Sequence, residues 1–286
     1  MMTRSIDRHQ VFAHTVGLPA FPRVVGQILE SLEDPEVNLN VLVDFIAHDP
    51  VITARVLSFA SRASEQTTNI AGVRDIYTAT SLIGMNHVRE IALVSSLGQF
   101  ANNSKIPSLP ADYWRHSVAV GICAQELALH VSSPILSDIA LVAGLLHDIG
   151  QLWLHRFYPE EFRQARALAS LQNVGIEFAE QKIFGVDHAE IGAWLAEYWG
   201  LPNTLVNSIG YHHLPDAALN ELMVPVVSVA EVLSNALDLA GRAENRVTQI
   251  SSASCKVLDL VFDANIQPLF GRIEARSKYA NALFVD

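Results

Sequence analysis

The sequence predicts an all-α protein. Apolar residues recur at helical spacing along almost the whole chain, and no segment alternates apolar and polar residues as a half-buried strand does. Asp, Pro and Gly also stand where helices start and stop. In the first third, Val24, Val25, Ile28, Leu29 and Leu32 make one apolar stripe, and residues 41–47 make a second short helix. Asp49-Pro50 then restarts the chain, with Asp as N-cap and Pro at the first helical position. That helix carries Val51, Ile52, Val56, Leu57 and Phe59, and two more are predicted over 76–83 and 88–100.

The stretch 101–111 (ANNSKIPSLPA) holds two Asn and two Pro and is predicted to be a loop between lobes. A long helix follows over 113–130, and Ser137 is expected to cap another that ends near His147. Pro159 opens an amphipathic helix that stops around Asn173-Val174-Gly175. Asp187 with Glu190 three residues on forms a capping-box pattern, and Gly200 followed by Pro202 closes that helix. Helices over 202–211, 224–239 and 254–284 complete the chain, the last with a break at Pro268. The expected organisation is an N-terminal helical lobe over 1–105, a helical core over 106–240 and a C-terminal helical extension over 241–286. In the extension, Leu258, Val261, Phe262, Leu269 and Ile273 are expected to pack on the core.

Half of the chain is hydrophobic, 17% is charged and the mean hydropathy is +0.24. No run reaches the roughly 20 apolar residues of a membrane span, and the N-terminus (MMTRSIDRHQ) lacks the apolar stretch of a signal peptide. Cys123 and Cys255 are too few for a disulfide framework and are expected as reduced thiols. These features predict a cytoplasmic protein. A formal charge of −11 leaves no broad basic surface for duplex nucleic acid. A small phosphorylated ligand in one local pocket is compatible with it.

The eleven histidines are unevenly used. His116 lies beside the apolar stripe of Val120, Cys123 and Leu127. His147-Asp148 ends a very apolar helix (LVAGLLHDIG), His188 opens a helix, His212-His213 follows another, and Glu231 interrupts an apolar one (VVSVAEVL). Imidazoles with carboxylates suit borderline divalent metals. In an adjacent His-Asp pair the carboxylate can bridge two ions while the imidazole binds one. A two-ion centre generates hydroxide near neutral pH and clamps a phosphoryl group. His9, His14, His48, His87, His130 and His155 lack such context and are read as ordinary hydrogen-bonding or surface histidines.

The run Gly144-Leu145-Leu146-His147-Asp148-Ile149-Gly150 resembles the signature of the HD superfamily of metal-dependent phosphohydrolases. The closer resemblance is to its HDOD branch, the HD-related output domains. It is carried by Leu18-Pro19-Ala20-Phe21-Pro22, Asp49-Pro50-Val51 and Leu82-Ile83-Gly84, then by His188-Ala189-Glu190-Ile191-Gly192-Ala193, Trp199-Gly200-Leu201-Pro202 and Tyr211-His212-His213. The resemblance implies an HD-like helical core and a role in bacterial signalling. Family members occur alone or fused to receiver and cyclic-dinucleotide domains, and many have lost metal ligands and act as regulatory modules.

The chain is also similar to the catalytic HD-GYP phosphodiesterases at His116, His147, Asp148, His188, His212 and His213, where that resemblance implies metal ligands. Three departures stand out. Gln151 replaces the lysine of HDIGK motifs that would contact phosphate. Leu214 replaces a glutamate, with no Gly-Tyr-Pro tripeptide after it. Glu231 stands where an aspartate ligand would fall, reaching one methylene further. The implied ligand set is therefore His116, His147, Asp148, His188, His212, His213 and Glu231, holding one or two ions of Fe, Mn, Ni or Zn.

The expected function is a signal-transduction output module with a divalent-metal site and little or no catalysis, binding a signalling protein partner or a small phosphorylated ligand. The alternative is a metal-dependent phosphohydrolase of a nucleotide or other small phosphoester, with Asp148 catalytic. Arg115 and Lys182 are then the nearest cations in sequence. Neither reading involves duplex nucleic acid or a membrane.

Overall fold

A computed structural model describes residues 5–33, 39–67, 73–102, 111–131, 134–241 and 249–284, and it contains no strand among them. By contact the chain falls into two compact units, Ala20–Phe100 and Met1–Pro19 with Ala101–Asn281. Of the interlobe loop read over 101–111, residues 103–110, with the border at 105, lie outside the described set, whereas Ala101 and Ala111 belong to helices.

The first helix, α1 (Arg8–Thr15), groups with the second half of the chain. It begins in a complete capping box between Asp7 and Gln10. The smaller unit then contains α2 (Arg23–Glu33), α3 (Leu39–Ala47), α4 (Pro50–Thr67), α5 (Ile76–Ile83) and α6 (Met85–Ala101). In α2 the predicted stripe is inward, with Val24, Val25, Ile28 and Leu29 buried. Asp49 caps α4 as expected, its carboxylate accepting from the Val51 and Ile52 amides. Ile52 and Val56 of α4 are buried, whereas Val51 faces outward.

The larger unit continues with α7 (Ala111–Val131), α8 (Pro134–Leu146), α9 (Ile149–Phe157), α10 (Pro159–Gln172), α11 (Ile176–Phe184), α12 (His188–Tyr198), α13 (Asn203–Tyr211), α14 (Met223–Ala236), α15 (Ser252–Val257) and α16 (Gln267–Phe284). Its centre is formed by α7, α8 and α14, which pack on one another. Ten of the fourteen α14 residues are buried. Each large aliphatic side chain removed from water there contributes about 1.5–3 kcal/mol, which is why its sequence is apolar on nearly every side. α12 packs on α9 and α13, and α1 packs on α12. The last contact includes Phe12 against Tyr198 and the Arg8–Glu197 ion pair, so α1 belongs here by packing, although the sequence reading put it with the N-terminal lobe.

Two further boundaries differ from expectation. Ser137 is not a cap: α8 starts at Pro134 and Ser137 is buried within it. In the C-terminal segment the break comes before Pro268, between α15 and α16, because proline is tolerated in the first turn where its missing N–H has no intrahelical acceptor. Of the five apolar residues expected to pack there, Leu258, Leu269 and Ile273 are buried, while Val261 and Phe262 are exposed. Asn173, at φ 54°, ends α10 in the left-handed conformation at the predicted stop. No helix among the described residues is long and apolar enough to cross a membrane.

Candidate metal centre

Two close helix crossings, both made possible by glycine, bring the histidines together. Where α7 crosses α8, a side chain on Gly144 would stand 2.6 Å from Gly121 Cα. His116 lies five residues before that crossing on α7 and His147 three after it past α8, so the two rings meet at 5.2 Å between centroids. Where the first turn of α9 meets the start of α12, a Cβ on Gly150 would stand 2.0 Å from the His188 carbonyl oxygen. That approach sets His188 Nε2 3.1 Å from Asp148 Oδ1.

Asp148 occupies the N-cap position of α9, yet its carboxylate caps nothing. It is turned instead toward the histidines. Oδ2 lies 3.4 Å from His147 Nε2 and 3.8 Å from His116 Nε2, while Oδ1 faces His188. The main-chain carbonyl of Asp148 accepts the Tyr113 hydroxyl at 3.0 Å. The turn after α13 adds His212 and His213, whose rings lie 5.2 Å from His147 and 4.9 Å from His188 respectively. Glu231 reaches in from α14, its Oε2 3.7 Å from His213 Nδ1.

All seven residues expected as ligands are thus collected in one place. Their donor atoms form overlapping triplets, each within 4.8 Å: His116, His147 and Glu231; His147, Asp148 and His212; His188, His212 and His213. The first and third share no residue, and the two oxygens of Asp148 are directed to different sides. The arrangement offers two seats with Asp148 between them.

Hydrogen bonds at the far side of the rings settle which nitrogens face inward. His147 Nδ1 donates to Gly144 O at 2.7 Å and His212 Nδ1 to Ile209 O at 2.6 Å. Their Nε2 atoms are left as acceptors. Both Nε2 atoms are buried and accept no hydrogen bond. A buried polar atom without a partner costs about 1–3 kcal/mol, and a divalent cation satisfies these lone pairs where another donor does not. The residues therefore fit a borderline divalent ion by donor chemistry as well as by spacing.

The electrostatics agree. Burial alone would raise the Asp148 carboxyl, but His147 and His188 outweigh it and hold the group well below the usual carboxylate range. Burial would likewise lower His188, but Glu180 and Asp148 outweigh it and hold the imidazole well above its ordinary value. Burial, with His213 beside it, keeps His212 well below.

Two contacts lay beyond sequence reasoning. Glu180 of α11, fully buried, binds His188 from behind. Its sequence surroundings (IEFAEQKIF) resemble any amphipathic helix and contain no signal for it. Gln151, singled out for its place after His-Asp, donates its side-chain amide to Asp148 Oδ1 at 2.8 Å. Lys182, named as a possible phosphate contact, is directed to Gln172 and over the ring of Phe178.

The sequence model of the HDOD domain matches residues 18–215. This chain belongs to the HDOD family. As an HDOD protein it shares its fold with an HDOD domain protein of unknown function from Geobacter sulfurreducens, at TM-score 0.72 and 24% identity, covering 97% of this chain and 96% of the other. A candidate signal-transduction protein from Marinobacter aquaeolei superposes at TM-score 0.73 and 24% identity, over 99% of this chain and 61% of that one. A candidate phosphohydrolase from Shewanella amazonensis does so at TM-score 0.65 and 21% identity, over 96% and 95%. At these identities the likeness concerns the fold. Against curated sequences, the chain spans 38% of the length of an uncharacterized Treponema pallidum protein, with 25% identity over 70% of its own length.

Proposed function

We propose that this HDOD protein is a signal-transduction output module whose His/Asp/Glu centre holds one or two divalent ions, with little or no hydrolysis. The ligands are His116, His147, Asp148, His188, His212, His213 and Glu231, and the ion is Fe, Mn, Ni or Zn. The observation that carries the reading is the Gln151 contact. A neutral amide stands three residues after Asp148 and is engaged with Asp148 itself, so this position contributes no positive charge to hold a phosphoryl group. A lost electrostatic donor costs roughly 3–4 kcal/mol of transition-state stabilisation, whereas the nitrogen and oxygen donors for a metal are largely retained, with Glu231 standing in for an aspartate. The name of the Marinobacter aquaeolei structure accords with a signalling role. The partner is then a signalling protein or a small phosphorylated ligand in the bacterial cytoplasm.

When bound, a divalent ion in such a centre polarises a phosphoryl oxygen and lowers the pKa of its water. The chain's own residues do the remaining work. The carbonyls of Gly144 and Ile209 orient His147 and His212, Asp148 stands between the two seats, and Gln151 restrains its Oδ1.

The test is elemental analysis of protein purified without added metal or chelator, beside His147→Ala. One or two equivalents of metal in the wild type, lost in the variant, is the expected result. Equal metal in both would remove His147 from the ligand set. A second reading, a phosphohydrolase of a nucleotide or small phosphoester, is favoured by the position of Asp148 between two donor triplets and by the name of the Shewanella amazonensis neighbour. Under it, turnover of phosphodiesters with added Mn is abolished by Asp148→Ala. Under the first reading such turnover is slight or absent.

A further inference from the structure

We infer that Glu180 is a positioning residue of the centre: it fixes the ring and tautomer of His188 and strengthens the seat built on His188, His212 and His213. This rests on the metal-binding reading above. One oxygen of Glu180, Oε2, accepts two hydrogen bonds from the same residue, from the His188 main-chain N–H at 2.8 Å and from its ring Nδ1–H at 2.6 Å. The first bond ties the opening turn of α12 to α11. The second makes Nδ1 the donor and directs Nε2 inward, 3.1 Å from Asp148 Oδ1 and 2.9 Å from His213 Nε2.

Packing gives no reason for a carboxylate here. Glu180 is 0% exposed, as are Ala179 and Phe184 on the same helix, and an apolar side chain would fill the position without the desolvation cost of a buried acid. The acid is accounted for by what it holds. His147 and His212 also have their Nδ1 groups held, but by main-chain carbonyls. Of these three rings, His188 is the one backed by a carboxylate, which raises the basicity of the opposite nitrogen toward a metal. His188 is on these grounds the strongest nitrogen donor of the three.

The experiment titrates Mn²⁺ alone into the metal-free full chain by calorimetry, for wild type, Glu180→Gln and Glu180→Ala. Glu180→Gln keeps the shape and an acceptor oxygen but removes the charge. Glu180→Ala removes both. Partners of metal-bound histidines typically cost 10–100-fold in affinity when lost, so about tenfold weaker binding is expected for Gln and toward a hundredfold for Ala. Nitrogen NMR of the metal-free protein adds a signature that mere packing would not move: the Nδ1–H signal of His188 is retained in Glu180→Gln and lost in Glu180→Ala. Folded variants that bind Mn²⁺ as wild type does, with the Nδ1–H signal unchanged, would overturn the role of Glu180 and leave the metal reading standing. A wild type that binds no metal would bring down both. Should Glu180→Ala fail to fold, the Gln variant still decides the affinity.

Discussion

His188 is the residue on which the pH behaviour of the centre turns. In the metal-free protein it lies between the carboxylates of Glu180 and Asp148, and its pKa is raised well above 6.5. A group raised on folding stabilises the native state fully below its unfolded value, and that contribution is lost as pH rises through the folded one. Metal binding has the opposite dependence, since Nε2 must lose its proton before it can ligate. Mn²⁺ affinity is expected to climb by up to about tenfold per pH unit from pH 6 upward, levelling once pH passes the folded His188 value. Titrations at several pH values check this, and a flat profile would show that His188 is not a ligand. Asp148 limits the acid side. Its depressed carboxyl contributes stability that is present above about pH 4 and lost as pH falls through its lower folded value.

At the scale of elements, the centre depends on how closely α9 meets α12. The His188 carbonyl occupies the space where a Gly150 side chain would start, 2.0 Å away. Gly150→Ala must therefore push the helices apart, and overpacking of this kind costs about 1–3 kcal/mol. Urea unfolding should show that loss, together with weaker metal binding, because Asp148 and His188 sit on the two sides of the contact. Gly26 of α2 has nothing within 4 Å of a built Cβ. Gly26→Ala is the control, expected to be neutral or stabilising by up to about 1 kcal/mol.

The larger unit is closed by its C-terminal helix. Glu126 of α7, with a nearly buried side chain, accepts Arg272 Nε at 2.9 Å and Arg276 Nη1 at 2.7 Å, both from α16. Gln125 beside it also accepts from Arg276. These bonds join α16 to the same helix that carries His116, and Leu269 and Ile273 are buried along α16. The arginines are partly exposed, so the pairs are screened, and Glu126→Ala is expected to cost about 1–3 kcal/mol, in the range of hydrogen bonds to a charged group. Limited proteolysis should then cut near α15 and α16 sooner than in the wild type. An unchanged cleavage pattern would mean that apolar contacts alone hold the helix.

Much of this was legible in the residues alone. Helical periodicity, the Asp49-Pro50 start and the Asn173 stop are local signals, written within one or two turns of the chain, and each is found where it was read. The seven candidate ligands were legible as well, because histidines beside apolar helices are uncommon enough to notice. Local signals failed where a contact comes from a distant element. α1 joins the larger unit through Phe12 and Arg8, which meet Tyr198 and Glu197. Val261 and Phe262 stay exposed although their apolar spacing suggested a buried face. The sequence by itself determined the helical class and the family, and it singled out the His and acidic residues that the fold brings together, since these depend on residue type and short-range order. Only the tertiary structure decided which oxygen of Asp148 faces which histidine, that Gln151 restrains that carboxylate, and that Glu180 stands behind His188. Those are orientations, set by packing between helices that no spacing along the chain records.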